Sequence, residues 1–522
     1  MHFGLIFRVV GIFLMLFSIV MLPPAFTGLY FNDGDIATFF YSFLWTFVSG
    51  LALWLWFRKQ DYVLRTRDGF VVVVLFWTVL GLFGAIPFML SEALAISFTD
   101  AVFESLSGLT TTGATVITKL DGLPHSVLLY RHLLQWLGGM GIIVLAVAVL
   151  PMLGVGGMQL YRAETPGPVK DSKLTPRIAE TAKALWYIYL GLTIICAVAY
   201  DLAGMSTFDA ICHSFSTIAI GGFSTHDASM GYFSPLIQSI AIVFMLFAGI
   251  NFALHFFAWR SRSLRVYMFD SEVRAYLMVL LVASIITTLY LYFYDSGLNR
   301  ISLVIQEGLS HVVPISSITG YPSIIILQLL SFPEYEFSTF SVAFHHGVFQ
   351  AVSIGTTTGY STSTYWNWPG FLPVMLLFIS FIGGCAGSTG GGMKVIRFLI
   401  LVKQGMREIL RLIHPNASIP IKVGEKAMPN RVLEAVWGFF AAYVAAFSII
   451  LLLLMFTGLD QTTAFSAVAA CMNNLGPGLG DVGAHYANIN SAAKWILGFA
   501  MLLGRLEVFT LLVILSPAFW RR

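Results

Sequence analysis

The chain has 522 residues, of which 57% are apolar and only 11% are charged. A soluble domain usually carries about 25% charged residues, so a series of soluble domains is excluded, because their cores would lack polar residues to cover them. Disorder is excluded as well, since 45 Phe, 12 Trp and 20 Tyr side chains do not stay solvated. The remaining class is a polytopic membrane protein, and a net charge of +3 gives no reason to expect a nucleic-acid partner.

Apolar segments long enough to cross a bilayer recur along the chain. A spanning helix needs about 20 mostly apolar residues. The first segment lacks a cleavage site of small residues, so we interpret it as a retained helix rather than a signal peptide. We predict about ten spans, near 5–22, 37–57, 69–92, 133–155, 184–204, 234–258, 274–294, 370–400, 431–457 and 488–516.

The basic residues predict the orientation of these spans. Most of the 29 Lys and Arg lie in 58–67, 162–183, 260–274, 394–431 and at the C-terminal end. The positive-inside rule assigns these clusters to the cytoplasm. Both termini are then cytoplasmic, which requires an even number of crossings. The opposite loops keep only Lys119, Arg131, Arg300 and Lys494.

Four stretches between the predicted spans repeat one pattern. They read DAVFESLSGLTTTGAT from residue 100, DAICHSFSTIAIGGFS from 209, HGVFQAVSIGTTTGYS from 346 and TAFSAVAACMNNLGPG from 463. They align on Gly113, Gly222, Gly359 and Gly476. Amphipathic surface loops of another transporter are the plainer interpretation, but four copies in one register favour a repeated unit of helix, re-entrant segment and helix.

Each stretch predicts a short helix followed by an irregular loop. Asp100, Asp209 and Thr463 are suitable N-caps, and His346 is a weaker one. About ten residues then form a helix of about 15 Å, half a bilayer deep. Irregular backbone at that depth must lie inside protein or beside water, where a ring of carbonyls can replace the water shell of a cation. We predict a cation filter made of Thr110, Thr111, Thr112, Gly113, Ala219, Ile220, Gly221, Gly222, Thr356, Thr357, Thr358, Gly359, Asn473, Asn474, Leu475 and Gly476.

Motifs from the first third of the chain to its end are similar to those of one family. They are FESLSGLTTTGAT, GGMGIIVLAVAVLPMLGVGGMQLYRAE, HSFSTIAIGGFSTHDAS, FIGGCAGSTGGGMKVIRF, HPNA, LEAVWGFF, NNLGPGLG and GRLEVFTLL. By these motifs the chain resembles the bacterial Trk-type potassium uptake proteins of the TrkH group, in the superfamily of K⁺ transporters.

The resemblance implies an all-α polytopic protein of the bacterial inner membrane. Four helix–pore loop–helix repeats are expected around one central pore, with a pseudo-fourfold arrangement and two extra helices ahead of them. A glycine in the first copy accompanies potassium in this superfamily, whereas serine accompanies sodium, so Gly113 favours K⁺. The corresponding divisions are 1–68 for the N-terminal helices and 69–165, 166–265, 266–428 and 429–522 for the repeats.

The resemblance also implies partners. The family forms homodimers and binds a separate cytosolic ring of the TrkA type, which carries NAD(H) or adenine nucleotides. Segments 158–183 and 394–431 are the expected docking surface. No cofactor is expected in this chain, and potassium is expected only as the transported ion. Channel and symport remain open, and a sodium-coupled or weakly selective cation transporter is the alternative.

The eighth predicted span is crowded with glycines. Each costs a helix about 1 kcal/mol, so FIGGCAGSTGGGMK predicts a break. The break is either a loop that blocks the pore or a site of close helix packing. The resemblance implies the first, a gate below the filter, and places an arginine beside it. The candidate gate residues are Gly383, Gly384, Gly387, Ser388, Thr389, Gly390, Gly391, Gly392 and Arg505.

A few polar residues in apolar surroundings remain. Arg505 and Glu507 are two residues apart, on different helix faces, and need different partners. Snorkelling to the inner interface is the alternative for Arg505. Glu104 is either a buried support for the filter or a charge facing an outer vestibule. Residues 296–339 form an insertion, interpreted as an outer cap or an inserted hairpin.

Two classes of function are disfavoured by what the sequence lacks. It has no HExxH, no GxSxG and no paired intramembrane carboxylates, so we expect no enzyme activity. The cysteines are far apart, without metal-ligand or disulfide spacing, and are expected to be small buried residues. They are Cys196, Cys212, Cys385 and Cys471.

Overall fold

The fold is almost entirely helical, as the sequence predicts. The computed structural model describes residues 1–59, 66–144, 178–312, 337, 339–424 and 426–521. Within these ranges the strands are Lys422–Val423 and Lys426–Ala427, which pair as one small antiparallel hairpin.

The helices follow the predicted order of two leading helices and four similar units. The leading region contains Phe3–Ser18, Ile19–Met21, Leu22–Phe31 and Ile36–Phe57. The first unit contains Thr66–Gly84, Ile86–Leu90, Phe98–Leu109, Leu120–Gly122 and His125–Val144. The second contains Ile178–Leu202, Thr207–Ala219, Ser229–Tyr232, Pro235–Ala248, Phe252–Ser261 and Arg265–Phe269. The third contains Ser271–Val312, Phe340–Gly355, Tyr365–Asn367, Leu372–Ile382 and Val395–Ile413. The fourth contains Asn430–Phe456, Gln461–Met472, Gly480–Val482, Ser491–Arg505, Phe509–Leu515 and Pro517–Trp520.

Helices that meet the length and hydropathy of a membrane span account for most of the predicted crossings. Among the described residues 6 helices qualify, or up to 8 when each bent pair counts as one span. The bent pairs, Pro235–Ala248 with Phe252–Ser261 and Ser491–Arg505 with Phe509–Leu515, turn by 94° and 116°. The predicted span at 133–155 lies partly outside the described residues, and the one at 370–400 is interrupted after Ile382.

The two leading helices cross where each has a glycine. A Cβ on Gly11 would lie 2.7 Å from the carbonyl oxygen of Gly50, and a Cβ on Gly50 would lie 2.7 Å from that of Gly11. Small residues allow such close approach of helices in a membrane, where lipid is as apolar as the side chains. The pair is therefore held by packing rather than by hydrophobic burial.

Burial is reversed relative to a soluble protein. The outer surface exposes large apolar side chains, including Trp45, Trp56 and Leu202, of which Trp56 is 83% exposed. The interior, by contrast, holds many Ser, Thr and Asn side chains. This distribution is typical of a protein surrounded by lipid, with its polar groups, including those of the four loops, in the interior.

The short helices begin earlier than predicted. Ser97 and Ser206 are the N-caps of the first two, and each hydroxyl accepts from the backbone amide three residues later. Asp100 and Asp209, predicted as caps, instead return a carboxylate to the cap hydroxyl at 2.7 Å. The pattern is close to a capping box, except that each carboxylate accepts from the cap hydroxyl rather than from the cap amide.

The other two short helices show the same displacement. Asp460 caps the fourth helix by accepting from the amides of Thr462 and Thr463. Thr339 is the N-cap position of the third, so His346 lies within that helix rather than at its start. The predicted insertion 296–339 is described only up to Val312 and from Thr339, with Phe337 between, so its form lies outside the described residues.

Candidate functional site: four loops around one axis

The four predicted filter loops have the same backbone support. Each short helix ends at or beside the first residue of its loop. The amide of the third loop residue then donates back into the helix, to Ser107, Ser216, Ser353 or Ala470, at 2.8 to 2.9 Å. These hydrogen bonds fix the start of each loop to the end of its short helix.

The same two positions of every loop have a left-handed backbone. The fourth residue is the glycine, with φ between 75° and 99°. The second residue is left-handed as well, although it is never glycine: Thr111, Ile220, Thr357 and Asn474 have φ of 53°, 54°, 69° and 52°. A positive φ at a β-branched residue is a strained conformation that persists only when the surroundings hold it, and such strain is concentrated at functional sites.

The glycines join the four loops into a closed ring. A Cβ on Gly113 would lie 2.1 Å from the carbonyl oxygen of Gly221, the third residue of the next loop. A Cβ on Gly222 would lie 2.1 Å from the carbonyl oxygen of Thr358, and a Cβ on Gly359 would lie 2.1 Å from that of Leu475.

Gly476 closes the ring. A Cβ there would lie 2.7 Å from the carbonyl oxygen of Thr112, in the first loop. Each loop thus touches the next in chain order and the fourth touches the first, which is the geometry of four loops around one axis. Only glycine permits this approach, because there is no space for a Cβ and because the backbone at each position has a positive φ.

Side chains of the loop residues hold each loop to itself or to a neighbour. Thr110 and Thr112 share a hydrogen bond of 2.8 Å, and Thr356 and Thr358 share one of 2.7 Å. The amide of Asn474 donates to the hydroxyl of Thr112, which ties the fourth loop to the first.

The remaining loop residues are buried in the same ring. The side chain of Asn473 accepts from the hydroxyl of Tyr443 and donates to that of Ser380. Ala219 and Ile220 are fully buried apolar residues of the second loop. The structure therefore brings all sixteen predicted filter residues together.

A polar side chain from each short helix forms a hydrogen bond with a residue just past the loop glycine. Glu104 accepts from the amide of Val116 at 2.9 Å, and His213 bonds the hydroxyl of Ser224 at 3.0 Å. Gln350 donates to the carbonyl of Tyr360. In the fourth helix the corresponding residue is alanine, and Ser466 next to it takes over by accepting from the amide of Leu479.

Glu104 is a buried support, which decides between the two interpretations of the sequence. Its partner is Arg131, whose Nε lies 2.9 Å from a carboxylate oxygen, and both side chains are almost fully buried. Arg131 also donates to the carbonyl of Ser224 in the second loop. The placement of Arg131 in an outer loop was wrong, since it lies inside the helix His125–Val144. The sequence around Arg131 does not indicate that its partner is Glu104, 27 positions earlier.

Lys494 was likewise assigned to a loop and is buried. It lies in the first turn of the helix Ser491–Arg505. Its amine donates to Asp100 at 2.6 Å, from the fourth unit to the first. The ring of loops is thus closed at two depths, by Lys494 with Asp100 and by Gly476 against Thr112.

An ionisable cluster joins the first two units near the start of the short helices. Nδ1 of His226 bonds Asp121, and its Nε2 lies 3.7 Å from Asp209. Burial lowers the pKa of His226, but the nearby carboxylates of Asp209 and Asp121 outweigh this and hold that pKa above its ordinary value. The hydrogen bond from His226 in turn lowers the pKa of Asp121.

The glycine-rich segment forms an irregular loop directly beside the filter residues. The helix Leu372–Ile382 ends at Gly383, and the chain becomes helical again at Val395. A Cβ on Gly391 would lie 1.9 Å from the carbonyl oxygen of Asn473, and the amide of Gly391 donates to the hydroxyl of Thr357 at 2.7 Å. The sequence prediction of a break in this span is therefore confirmed. We call residues 383–394 the glycine loop.

The glycine loop contacts three of the four units near the ends of their short helices. The hydroxyl of Thr389 donates to the carbonyl of Ile218 in the second unit, and the amide of Gly392 donates to Asn473 in the fourth. Within its own unit the loop approaches Thr356, whose carbonyl oxygen would lie 3.0 Å from a Cβ on Gly390. Ser388 uses its hydroxyl within the loop, on the carbonyl of Cys385.

Arg505 is buried and attached to the glycine loop. Its guanidinium donates to the carbonyl of Thr389 at 3.1 Å and to that of Gly138 at 2.7 Å, so it joins the loop to the first unit. Its side chain is 5% exposed, which excludes snorkelling in this conformation.

Glu507 has a different partner, as its spacing from Arg505 predicts. It pairs with Arg397, at the start of the helix after the glycine loop. Lys394, at the end of the loop, is also buried, and its amine donates to the carbonyl of Gly390.

Within the described residues no group of three or more His, Cys, Asp or Glu is arranged to hold a metal ion. All four cysteines are buried and free, as predicted.

The fold and the site together define a polytopic membrane protein with four pore loops around one axis, and comparisons specify its family. Residues 36–522 match the TrkH family, described as cation transport protein. Over its full length the chain is 54% identical to the Trk system potassium uptake protein TrkH of Vibrio parahaemolyticus and 51% identical to that of Escherichia coli (strain K12), with 100% of each chain covered. The crystal structure of the potassium transporter TrkH from Vibrio parahaemolyticus matches with a TM-score of 0.83 at 50% identity, covering 100% of both chains. The chain belongs to the TrkH family of cation transport proteins.

Proposed function

We propose that this protein mediates uptake of potassium across the bacterial inner membrane, through a filter formed by the four loops. The observation that carries the proposal is the closed ring in which each filter glycine lies against a carbonyl of the next loop. Backbone carbonyls held by such contacts can replace the hydration shell of K⁺. The relatives named as potassium uptake proteins support the choice of ion.

The glycine loop is the proposed gate. Its contacts with Thr357, Asn473 and Ile218 support this role, since they attach the loop to the ends of three short helices in this conformation. Arg505 acts as its latch by binding the carbonyl of Thr389. An ion leaving the filter inward would meet this loop, so conduction requires the loop to move.

Regulation by a separate cytosolic partner is part of the proposal. A nucleotide-binding ring of the TrkA type would act on the basic segments 158–183 and 394–431. The second of these includes the helix Val395–Ile413, which continues directly from the glycine loop, so a force on the helix reaches the gate. The protein would work as a homodimer, with both termini in the cytoplasm.

Growth of a potassium-uptake-deficient strain at low K⁺ tests the function. The gene is expressed with its cognate cytosolic partner, and growth is scored against external K⁺ with Na⁺ held constant. Rescue at low K⁺ is expected. Absence of rescue despite protein in the membrane would overturn the assignment, and rescue that depends on Na⁺ would favour the sodium-coupled alternative.

A further inference from the structure

Glu272 lies at the start of the first helix of the third unit and contacts both the glycine loop and the helix that follows it. Its Oε1 accepts from the amide of Ala386 at 2.7 Å and from the amide of Ile396 at 3.2 Å. Ala386 lies near the entry of the loop, and Ile396 is the second residue of the helix that follows it. One buried carboxylate oxygen thus joins two points that are ten positions apart in the chain.

The helix Val395–Ile413 has no cap of its own. Its N-cap residue is Lys394, which has no side-chain acceptor and makes no cap hydrogen bond. The first amides of a helix need an acceptor, and the positive end of the helix dipole favours a carboxylate there. Glu272 supplies that carboxylate from a residue 124 positions away.

The bend in the second unit contacts the same part of the glycine loop. The amide of Cys385 donates to the carbonyl of Gly249, and the amide of Phe252 donates to that of Gly387. Gly249 and Phe252 flank the 94° bend in the second unit. The connection between the second and third units, residues 249–272, therefore contacts the first half of the glycine loop and the first turn of the helix that follows it.

We propose that Glu272 is a positioning residue for the gate: it holds the glycine loop closed by binding Ala386 and Ile396 together. The proposal rests on the proposed function of that loop. When the loop leaves the pore, both amides must leave Glu272, and a buried carboxylate is then left without its donors. Closure is therefore favoured as long as Glu272 stays in place, and displacement of the 249–272 connection releases the loop.

Flux through reconstituted protein gives the first test. Wild type, Glu272→Ala, Glu272→Gln and Asp68→Asn are placed in liposomes without the cytosolic partner, and entry of Rb⁺ is measured. Asp68 is the matched control, because it is a buried carboxylate near the start of the first helix of the first unit and accepts from the amide of His2.

We expect Glu272→Ala to raise basal flux about tenfold, since a hydrogen bond to a charged group is typically worth that factor in an equilibrium. Glu272→Gln keeps an acceptor without the charge, so its basal flux should rise less than that of Glu272→Ala. The basal flux of Asp68→Asn should equal that of wild type. The K⁺ over Na⁺ preference should be the same in every variant.

Labelling of Cys385 tests the loop independently of transport. This native thiol is buried in the glycine loop, one residue before Ala386. A water-soluble maleimide, quantified by peptide mass spectrometry, should label Cys385 faster in both Glu272 variants, while the buried Cys196, Cys212 and Cys471 stay unlabelled as internal controls.

The two assays separate the possible failures. If a folded Glu272→Gln protein shows the same flux and the same rate of Cys385 labelling as wild type, the proposed role of Glu272 is overturned. Absence of any cation flux in wild type, with or without partner, would instead overturn the proposed function. If Glu272→Ala does not fold, Glu272→Gln decides both measurements, because it preserves the shape of the side chain.

Discussion

The filter and the glycine loop, although in contact, are held in opposite ways. Every feature of the filter occurs four times: a left-handed second residue, a glycine against the next loop, and one amide returned to the short helix. The glycine loop occurs once, in the third unit, and depends on single contacts from Arg505, Thr357 and Glu272. Repetition gives a rigid ring, while unique contacts give an element that a few changes can release. Variants of the first region should impair selection, and variants of the second should alter opening.

The largest effect is expected for an added Cβ in the filter ring. In Gly222→Ala the methyl group would lie 2.1 Å from the carbonyl oxygen of Thr358, at a φ of 75° that alanine rarely adopts. We expect K⁺ uptake to fall strongly and the K⁺ over Na⁺ preference to shrink, because the ring closes only when a loop moves. Gly191→Ala is the matched control, since nothing lies within 4 Å of a Cβ there, and its uptake should equal wild type. Normal uptake by Gly222→Ala would contradict the ring geometry.

The next effect concerns the buried ion pair behind the filter. Arg131→Met leaves the Glu104 carboxylate buried without its charge partner, which typically costs about 3–5 kcal/mol. We expect a matching fall in the free energy of unfolding in detergent, together with a weaker preference for K⁺. The exposed pair of Arg411 and Glu408 is the contrast, and Glu408→Gln should change stability by less than about 1 kcal/mol. Equal effects of the two variants would show that Arg131 is not the filter support described here.

A smaller and opposite effect is expected at the latch of the gate. Arg505→Gln shortens the side chain and removes the charge that binds Thr389 and Gly138. Flux in the absence of the cytosolic partner should rise several-fold, by about the factor that one charge-assisted hydrogen bond contributes. The K⁺ over Na⁺ preference should stay unchanged. A fall in that preference would mean that Arg505 belongs to the filter instead.

The smallest effect is a pH dependence outside the spans. Because the pKa of His226 is held above its ordinary value, its stabilising charge is complete below about pH 6.5 and is lost as the pH rises through the raised pKa. We expect the melting temperature of wild type to fall by a degree or two, roughly, between about pH 6 and pH 9, consistent with at most about 1 kcal/mol. His226→Gln should flatten that dependence, and so should Asp121→Asn. An unaltered profile in both variants would assign the dependence to other groups.

Sequence reasoning succeeded where a feature is local or repeated. The glycine register predicted four equivalent loops, and the glycines after Ile382 predicted a break, because φ preference and helix propensity act within a few residues. The predicted starts of the first two short helices lie three residues too late, because Asp100 and Asp209 are taken as the N-caps in place of Ser97 and Ser206. The Ser-x-x-Asp pattern at Ser97 and Ser206 contained that information.

Contacts between distant parts of the chain could not be predicted in this way. Arg131 with Glu104, Lys494 with Asp100 and Glu272 with the glycine loop each join residues from different helices. A charged residue in an apolar stretch indicates that some partner exists, but the partner depends on how the helices pack. The sequence therefore predicts the positions of the four loops better than the contacts that support them.

The most direct test of the central claim is ion selection by the ring of loops. Entry of Rb⁺ into liposomes is measured against increasing K⁺ or Na⁺ on the outside, for wild type and for Gly113→Ser, whose Cβ would lie 2.1 Å from the carbonyl oxygen of Gly221. We predict that K⁺ competes at far lower concentration than Na⁺ in wild type and that the difference shrinks in Gly113→Ser. Equal competition by the two ions in wild type, or an unchanged difference in Gly113→Ser, would contradict the account.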